Sequence, residues 1–256
     1  MRLDQYLAKE LQTRTRAADA IKQGRVSIAG KTITKPAYEL KEEEQDQIEI
    51  RPAEHDYVSR AGGKLQAAFD AFHIDVKDQC VLDIGASTGG FTQCVLEHGE
   101  RKVYALDVGH LQLSPALKAD SRVVEMEGVN ARSILKSWFS DKIDFICMDV
   151  SFISALSILE PLFLQMMPEH LCVLVKPQFE CTKNALNKKG VIKNPKYEAQ
   201  AVEKIQNALL MHYAKVRKIP SPVVGRSGNQ EYLLYACRPK EIHSAPEPTD
   251  APAKPE

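Results

Sequence analysis

Four charged residues lie where the sequence predicts the edge of a sheet. Asp149 and Lys176 each follow an apolar, strand-length segment, and Glu231 directly precedes another. A lysine that continues a buried strand is costly unless carboxylates pair with it. The same pairing holds the lysine in place and tunes its pKa for acid–base or hydroxyl-positioning chemistry. Lys64, predicted at the start of a helix, is expected to reach the same crevice, so the four residues form a candidate catalytic group.

A glycine-rich turn provides a candidate cofactor site. A buried segment containing Asp83 leads into Gly85-Ala86-Ser87-Thr88-Gly89-Gly90-Phe91, and such a turn lets a ligand approach the backbone at a helix N-terminus. Nicotinamide-dinucleotide proteins use G-x-G-x-x-G here to bind a pyrophosphate. The G-x-x-x-G-G spacing after an acid instead suits a ligand with an amino-acid ammonium and no phosphate. With Asp107 placed to bind ribose hydroxyls, S-adenosylmethionine (SAM) is favoured over NAD.

The elements that position these residues follow an α/β pattern from about residue 60, which predicts a mostly parallel seven-stranded sheet. The predicted strands are 80–84, 102–106, 123–126, 145–148, 171–176, 216–219 and 232–237, and the predicted helices lie near 63–73, 89–98, 131–139, 154–166 and 196–212. No long helical crossover separates the last two strands, which predicts an antiparallel hairpin at the sheet edge. The lysine-rich segment 177–194 fits a surface loop and an RNA-contacting lid equally well.

The first 38 residues differ from the rest of this electrically neutral chain. They contain eight Lys and Arg against three Asp and Glu, a net charge of +5. Two apolar helical faces are separated by Thr13 and Thr15, either of which is expected to cap the second helix, and short strands are predicted at 26–28 and 48–50. A small basic module is typical of proteins that bind a phosphate backbone, although the composition fits a solvated surface equally well.

Composition narrows the class of protein. The 256 residues are 44% hydrophobic and 27% charged, as in ordinary soluble domains. No apolar run approaches the length of a membrane helix, and the start lacks the apolar core of a signal peptide. Six scattered cysteines without a C-x-x-C pair indicate reduced thiols. We therefore expect a cytoplasmic protein with no metal site, no membrane association and no obligate protein partner, organised as 1–58, 59–241 and a disordered tail at 242–256.

The motifs together resemble a known enzyme family. Lys64, Asp149, Lys176 and Glu231 look like the Lys-Asp-Lys-Glu tetrad of FtsJ-like RNA ribose 2′-O-methyltransferases. The strings that resemble the TlyA family specifically are SRAGGKL at 59–65, GASTGGFT at 85–92, DVSFIS at 149–154, VKPQFE at 175–180 and GRSGNQEY at 225–232. The N-terminal strings RLD at 2–4 and GRVSIAGK at 24–31 resemble the αL-motif (S4-type) RNA-binding domain of that family.

The resemblance implies a Rossmann-like SAM-dependent methyltransferase domain, preceded by a small α+β RNA-binding domain. It implies 2′-O-methylation of a cytidine ribose in ribosomal RNA within a ribosomal subunit. Because the chain starts directly at the first helix of the RNA module, it resembles a short subtype that modifies the large subunit. The name haemolysin has also been given to this family.

The resemblance also assigns roles to residues. The expected SAM-binding residues are Asp83, Gly85, Ala86, Ser87, Thr88, Gly89, Gly90, Phe91, Asp107, Asp149 and Phe152, and the expected RNA-binding residues are Arg2, Arg14, Arg16, Arg25 and Lys35. Within the tetrad we expect Lys176 to act as base or hydroxyl-positioning group, oriented by Asp149 and Glu231, while Lys64 steers the nucleotide.

Other functions make different sequence demands. Adenine N6 methylation usually needs Asn/Asp-Pro-Pro-aromatic, but Val150-Ser151-Phe152 follows Asp149. Cytosine C5 methylation usually needs a cysteine beside proline, and no cysteine here adjoins one. A non-catalytic RNA-binding or ribosome-assembly factor would bind RNA without SAM. A haemolysin would need an export signal or a membrane-seeking amphipathic helix, and neither is evident.

Overall fold

The computed structural model describes residues 1–11, 13–52, 56–225 and 227–240. Contacts divide the chain after Asp56 into an N-terminal unit, Met1–Asp56, and a sheet unit that begins at Tyr57. The tail predicted at 242–256 and Arg226 of the GRSGNQEY string lie outside the described residues. Within the described part, no helix combines the length and the apolar character needed to cross a membrane.

The N-terminal unit packs two short helices on a three-stranded antiparallel sheet of order β2-β1-β3. Its elements are α1 Leu3–Tyr6, α2 Arg14–Lys22, β1 Val26–Ile28, β2 Lys31–Ile33, a 3-10 helix Glu42–Gln47 and β3 Ile48–Ile50. Thr13, not Thr15, caps α2, because its side-chain oxygen accepts the Arg16 backbone N–H. The strands predicted at 26–28 and 48–50 are confirmed, and a small apolar core that includes Leu3, Ile21 and Val26 lies beneath them.

The sheet unit contains seven strands and six helices within its described residues. The strands are β4 Cys80–Ile84, β5 Lys102–Asp107, β6 Val123–Glu127, β7 Phe145–Met148, β8 His170–Val175, β9 Tyr213–Pro220 and β10 Tyr232–Pro239. The helices are α3 Arg60–Phe72, α4 Gly90–Glu97, α5 Pro115–Lys118, α6 Leu156–Gln165, α7 Pro177–Glu180 and α8 Pro195–His212. The segment 177–194 therefore opens with α7 and contains a further 3-10 turn, Lys183–Ala185.

Strand order places the site. The order is β6-β5-β4-β7-β8-β10-β9, with β4 to β8 parallel to one another and β10 antiparallel to both β8 and β9. This confirms the mostly parallel sheet and its antiparallel edge. The chain leaves β4 in one direction along the sheet and returns to β7 on the other side, so the order reverses between these two strands. Ligands of open α/β sheets bind in the crevice at such a reversal.

Two apolar layers cover the sheet, which explains why its central strands are apolar throughout rather than alternating. The helix α3 contributes Leu65, Phe69 and Phe72 to one layer, and α8 contributes Ile205 and Leu209 to the other.

Two predicted helices need correction. The helix expected at 131–139 is wrong, because the segment forms two 3-10 turns, Ala131–Ser133 and Lys136–Trp138. Its buried residues include Ala131, Ile134 and Phe139, and Phe139 lies five positions after Ile134, away from the helical face that Ala131 and Ile134 would share. The helix expected at 63–73 begins earlier, at Arg60, which places Lys64 in its second turn rather than at its start.

Candidate active site

Two glycines let the surrounding elements approach the turn after β4. Gly85 has φ +86°, and a Cβ there would lie 2.3 Å from the Asp149 carbonyl oxygen. A side chain would therefore push the ends of β4 and β7 apart. At Gly90, the first residue of α4, a Cβ would lie 2.3 Å from Ser59 Oγ, just before α3. The absence of side chains at Gly85 and Gly90 therefore allows Asp149 and the start of α3 to lie against the same turn.

The four tetrad residues form two ion pairs. Lys64 Nζ lies 2.5 Å from Glu231 Oε2, and Lys176 Nζ lies 2.5 Å from Asp149 Oδ1. Lys176 also donates a hydrogen bond to Ser151 Oγ at 2.7 Å. No side chain of the tetrad is more than 15% exposed. Glu231 was expected to orient Lys176, and the structure instead pairs it with Lys64.

Strand pairing explains how Glu231 reaches this group from far along the chain. β10 runs antiparallel to β8 with Tyr232 opposite Val175. Glu231, the residue before β10, therefore lies at the same end of the paired strands as Lys176, the residue after β8. An antiparallel last strand is what allows its starting end, rather than its finishing end, to face the crevice.

The tetrad lines a cavity of about 380 Å³, which we call the polar cavity. Its lining residues are Ser59, Arg60, Ala61, Lys64, Gly85, Ala86, Ser87, Thr88, Phe91, Asp149, Ser151, Phe152, Lys176, Gln178, Phe179, Ser227 and Glu231. The sequence identified ten of these residues as site residues. It missed the other seven, although all of them lie inside the strings that resemble the family, because no residue type or spacing marked them individually: Ser59, Arg60, Ala61, Ser151, Gln178, Phe179 and Ser227.

A second cavity of about 410 Å³, the apolar cavity, adjoins the first. Both cavities are lined by Gly85, Ser87, Asp149, Ser151 and Phe152, which we call the shared wall. The other lining residues of the apolar cavity are Ile84, Leu106, Asp107, Val108, Gln112, Val129, Asn130, Ala131, Arg132, Val150, Ile153 and Ile158. Asp107 was predicted to belong to the site. The wall from Val129 to Arg132 was missed, because the sequence predicted a regular helix from 131 and no motif at 129–130.

Asp107 closes the turn as well as lining the apolar cavity. Its Oδ2 accepts the Ser87 backbone N–H at 2.8 Å, and its Oδ1 accepts that of Gly109 at 2.7 Å. A carboxylate oxygen accepts more than one hydrogen bond. Asp107 therefore fixes the start of the turn while each oxygen retains capacity for a ligand hydroxyl.

Asp83, Gly89 and Gly90 were predicted to bind SAM, but none of them lines either cavity. Asp83 is fully buried, and its Oδ2 accepts a hydrogen bond from Thr92 Oγ1 at 2.7 Å. Burial raises the pKa of Asp83 to about 7, and the Thr92 hydrogen bond opposes that rise. In this structure Asp83 ties β4 to the first turn of α4, so its contribution is to hold the turn.

Glu180 ties together the two loops that carry Lys176 and Asp149. Its Oε2 accepts from Ser154 Oγ at 2.5 Å, and its Oε1 accepts from the Ala155 backbone N–H at 2.7 Å. Lys204 Nζ lies 3.6 Å from Oε2, and the Glu180 side chain is buried. The carboxylate therefore anchors the segment after Asp149 where α6 begins, at a position that favours negative charge.

An exposed aromatic pair lies at the mouth of the cavities. Phe152 has φ +70° and is 88% exposed, and its ring centroid lies 5.3 Å from that of Phe179. A non-glycine residue in this backbone region is uncommon and marks a position held by its surroundings. Phe152, which was predicted to lie near the cofactor, is part of the shared wall.

The five predicted RNA-binding residues are partly or fully exposed on the N-terminal unit. Arg2 and Arg14 both bond to the buried carboxylate of Asp4, whose pKa they lower to about 2, with the Arg2 hydrogen bond as the largest cause. Arg16 pairs with Asp56, and Lys35 is exposed. No group of three or more His, Cys, Asp or Glu suited to a metal is found in the part of the chain that the structure describes.

Comparison with known families decides the assignment. The model of the FtsJ-like methyltransferase family matches residues 57–238. The chain belongs to this family. The S4 domain model matches residues 1–46, the greater part of the N-terminal unit.

Relatives place this FtsJ-like methyltransferase in the TlyA family. Hemolysin A of Brachyspira hyodysenteriae is 42% identical over 92% of this chain and 99% of its own length. The 16S/23S rRNA (cytidine-2′-O)-methyltransferase TlyA of Mycobacterium tuberculosis is 36% identical over 88% and 84%. The 23S rRNA (cytidine-2′-O)-methyltransferase TlyA of Campylobacter jejuni is 32% identical over 92% and 98%. The predicted TlyA family and its two-domain fold class are thereby confirmed.

Proposed function

We propose that this protein is a cytoplasmic enzyme that transfers a methyl group from SAM to the 2′-hydroxyl of a cytidine in ribosomal RNA, within a ribosomal subunit. The observation that carries the proposal is the pairing of Lys176 with Asp149 in a polar cavity that shares a wall with an apolar one. The relatives named for rRNA cytidine 2′-O-methylation support the substrate. Both names include 23S rRNA, which favours the large subunit.

The apolar cavity fits the adenosine part of SAM. Ile84, Leu106 and Val129 offer the apolar surface that an adenine ring needs, and Asp107 has acceptor capacity for ribose hydroxyls. The turn from Gly85 to Thr88 leads from this cavity into the polar one and suits the methionine part. SAM supplies a methyl group already activated on a sulfonium, so the chain's main task is alignment.

The polar cavity fits the nucleotide that receives the methyl group. Lys176 lies against Asp149 and Ser151, so its ammonium or amine is held beside the shared wall. We assign Lys176 to position the 2′-hydroxyl and, in its uncharged form, to accept the hydroxyl proton. The methyl group of bound SAM would pass to the hydroxyl oxygen as its bond to sulfur breaks, which would leave a neutral thioether. Asp149 and Ser151 orient Lys176. Lys64 and Glu231 form the opposite pair, which we assign to hold the ribose and its phosphate.

The N-terminal unit supplies the RNA contacts in this proposal. Its S4 domain match and its basic residues Arg2, Arg14, Arg16, Arg25 and Lys35 support binding to the phosphate backbone. For the domain boundaries we keep those that the sequence predicts, with the RNA-binding domain and linker at 1–58 and the methyltransferase domain at 59–241.

The test is transfer of labelled methyl from SAM to separated large and small ribosomal subunits from a strain that lacks the enzyme. We expect label on a cytidine ribose of the large subunit, and a fall of about 10²- to 10⁴-fold in rate for Lys176→Ala with SAM binding retained. Lys215→Ala, an exposed lysine on β9, is the matched control and should keep the wild-type rate. RNA binding without label on either subunit would support a non-catalytic assembly factor and end this proposal.

A further inference from the structure

Three arginines surround a separate cavity of about 260 Å³ in the N-terminal unit, which we call the arginine cavity. Its lining residues are Glu10, Leu11, Arg16, Arg25, Ile50, Arg51, Pro52 and Asp56. Arg16 and Arg25 were among the predicted RNA-binding residues, whereas Arg51 was not. Three arginines and two acids line this one small cavity, and such a cluster of positive side chains is costly unless anions balance it, because like charges repel.

The backbone holds two of these arginines in place. Arg25 Nη1 donates to the Arg51 carbonyl oxygen at 3.1 Å, and Arg51 Nη2 donates to the Gly24 carbonyl oxygen at 2.6 Å. The Arg51 backbone N–H donates to the Arg25 carbonyl oxygen at 2.8 Å, which extends the pairing of β1 with β3. Gln23 accepts from Arg25 Nε at 3.0 Å. The guanidinium forks are therefore oriented before any ligand binds, which lowers the entropy that binding would cost.

A carboxylate of the chain itself already interacts with this cluster. Asp56 pairs with Arg16, and the Asp56 side chain is 80% exposed. Its carboxylate oxygen contacts the guanidinium as a phosphate oxygen would. A carboxylate is planar and a phosphate is tetrahedral, but both are anions whose oxygens accept hydrogen bonds from the same donors. An exposed ion pair contributes little to stability, so another anion can replace Asp56 at little cost.

We propose that the arginine cavity binds a phosphodiester group of the RNA substrate, and that Asp56 is the internal anion which that phosphate displaces. The inference rests on the proposed function for the presence of RNA, and adds a discrete site and two residues, Arg51 and Asp56. Glu10 lines the same cavity and lowers its net positive charge. The site therefore fits one phosphate of a longer chain whose other contacts add affinity, rather than a free anion bound alone.

The proposal predicts opposite effects from two neighbouring substitutions. Arg51→Gln removes one guanidinium, so the affinity for RNA should fall, and the slope of log affinity against log salt should decrease in magnitude by about 0.7 to 0.9. Asp56→Asn removes the competing anion, so RNA should bind about two- to fivefold more tightly, the range that an exposed ion pair allows. A gain of affinity from changing an exposed acid at this one place is the distinctive result.

The measurement is equilibrium binding of the full-length protein to RNA extracted from large ribosomal subunits, over a series of salt concentrations. Asp46→Asn is the matched control, because Asp46 is an exposed acid of the same unit outside the cavity lining. Each of the two Asp→Asn substitutions removes one negative charge, so the two variants have the same net charge. The site is confirmed if the Asp56→Asn variant binds RNA more tightly than the Asp46→Asn variant and Arg51→Gln weakens RNA binding.

Three outcomes overturn it. Equal affinities of the two Asp variants would mean that only net charge matters, and an unchanged salt slope in Arg51→Gln would remove Arg51 from the contact. Competition by millimolar inorganic phosphate at constant ionic strength would show a site for a free anion instead of an RNA phosphate. The proposed function fails differently, through absent methyl transfer by the wild-type protein in the subunit assay.

Discussion

The two units use charged side chains in opposite ways. In the N-terminal unit, the side chains of Arg2 and Arg14 remain 39% and 51% exposed, and the single buried carboxylate of Asp4 pairs with both. In the sheet unit, the lysines of the tetrad are 10–11% exposed and each is paired with a carboxylate across a cavity. Exposed arginines attract a polyanion and depend on salt, whereas enclosed lysines are shielded from it. This difference fits the proposed function, in which the first unit captures the RNA and the second aligns it.

The largest effect that would sharpen this comparison is the difference in how the affinities for RNA and for SAM respond to salt concentration. If five basic residues contact phosphates, the affinity for RNA should fall about 10²-fold between 50 and 200 mM salt, since each contact releases counterions. The affinity for SAM, bound in the sheet unit, should change by less than about twofold. Calorimetry or fluorescence titration of the same protein measures both. Equal sensitivity of the two affinities would show that the units do not divide their work in this way.

An intermediate effect is expected at Glu180, which touches neither proposed ligand but fixes the loops of Lys176 and Asp149. Glu180→Gln keeps the shape and loses the charge, so kcat should fall about tenfold, as expected when catalytic groups are slightly misplaced, with KM for RNA unchanged. Glu203→Gln, an exposed acid on α8, is the control and should leave kcat unchanged. A loss of thermal stability with kcat intact would make Glu180 a structural residue only.

The smallest effect concerns an enclosed acid without a hydrogen-bond partner. Both carboxylate oxygens of Glu100 accept no hydrogen bond from the described residues, and Arg122 Nη1 lies 3.5 Å away. Burial raises the pKa of Glu100 to about 7, while Arg122 opposes the rise. The folded chain therefore holds a proton there that the unfolded chain has lost, and stability falls as pH rises from about 4.5 to about 7.

Glu100→Gln should remove that pH-dependent loss. The variant should be more stable than wild type at pH 8 by about 1–3 kcal/mol, and nearly equal to it at pH 5. Denaturant unfolding at the two pH values measures the difference. Glu160→Gln, an exposed acid on α6, serves as control. An equal gain at both pH values would mean that burial of a charge is not the cause.

Sequence alone predicted the sheet, because each central strand is a short apolar run bounded by turn residues, and this pattern depends on local chemistry. It predicted Asp149, Lys176 and Glu231 because each adjoins such a strand. The pairing of Lys64 with Glu231 was beyond it, since the two are 167 positions apart and meet only through the antiparallel placement of β10. The segment 131–139 misled it because tertiary packing, not helical periodicity, buries Ile134 and Phe139.

The contact between Lys64 and Glu231 also bears on how the protein is made. Synthesis proceeds from the N-terminus, so Lys64 is made long before its partner Glu231, which directly precedes β10. Until β10 is added beside β8, Lys64 lacks its partner carboxylate Glu231, and β8 is an unpaired edge of the sheet beside the place where the tetrad will form. A chain shortened before Glu231 would contain the residues of the glycine turn but only three of the four tetrad residues. Because Glu231 and β10 follow the other three tetrad residues in the chain, the tetrad is complete only once β10 has been added.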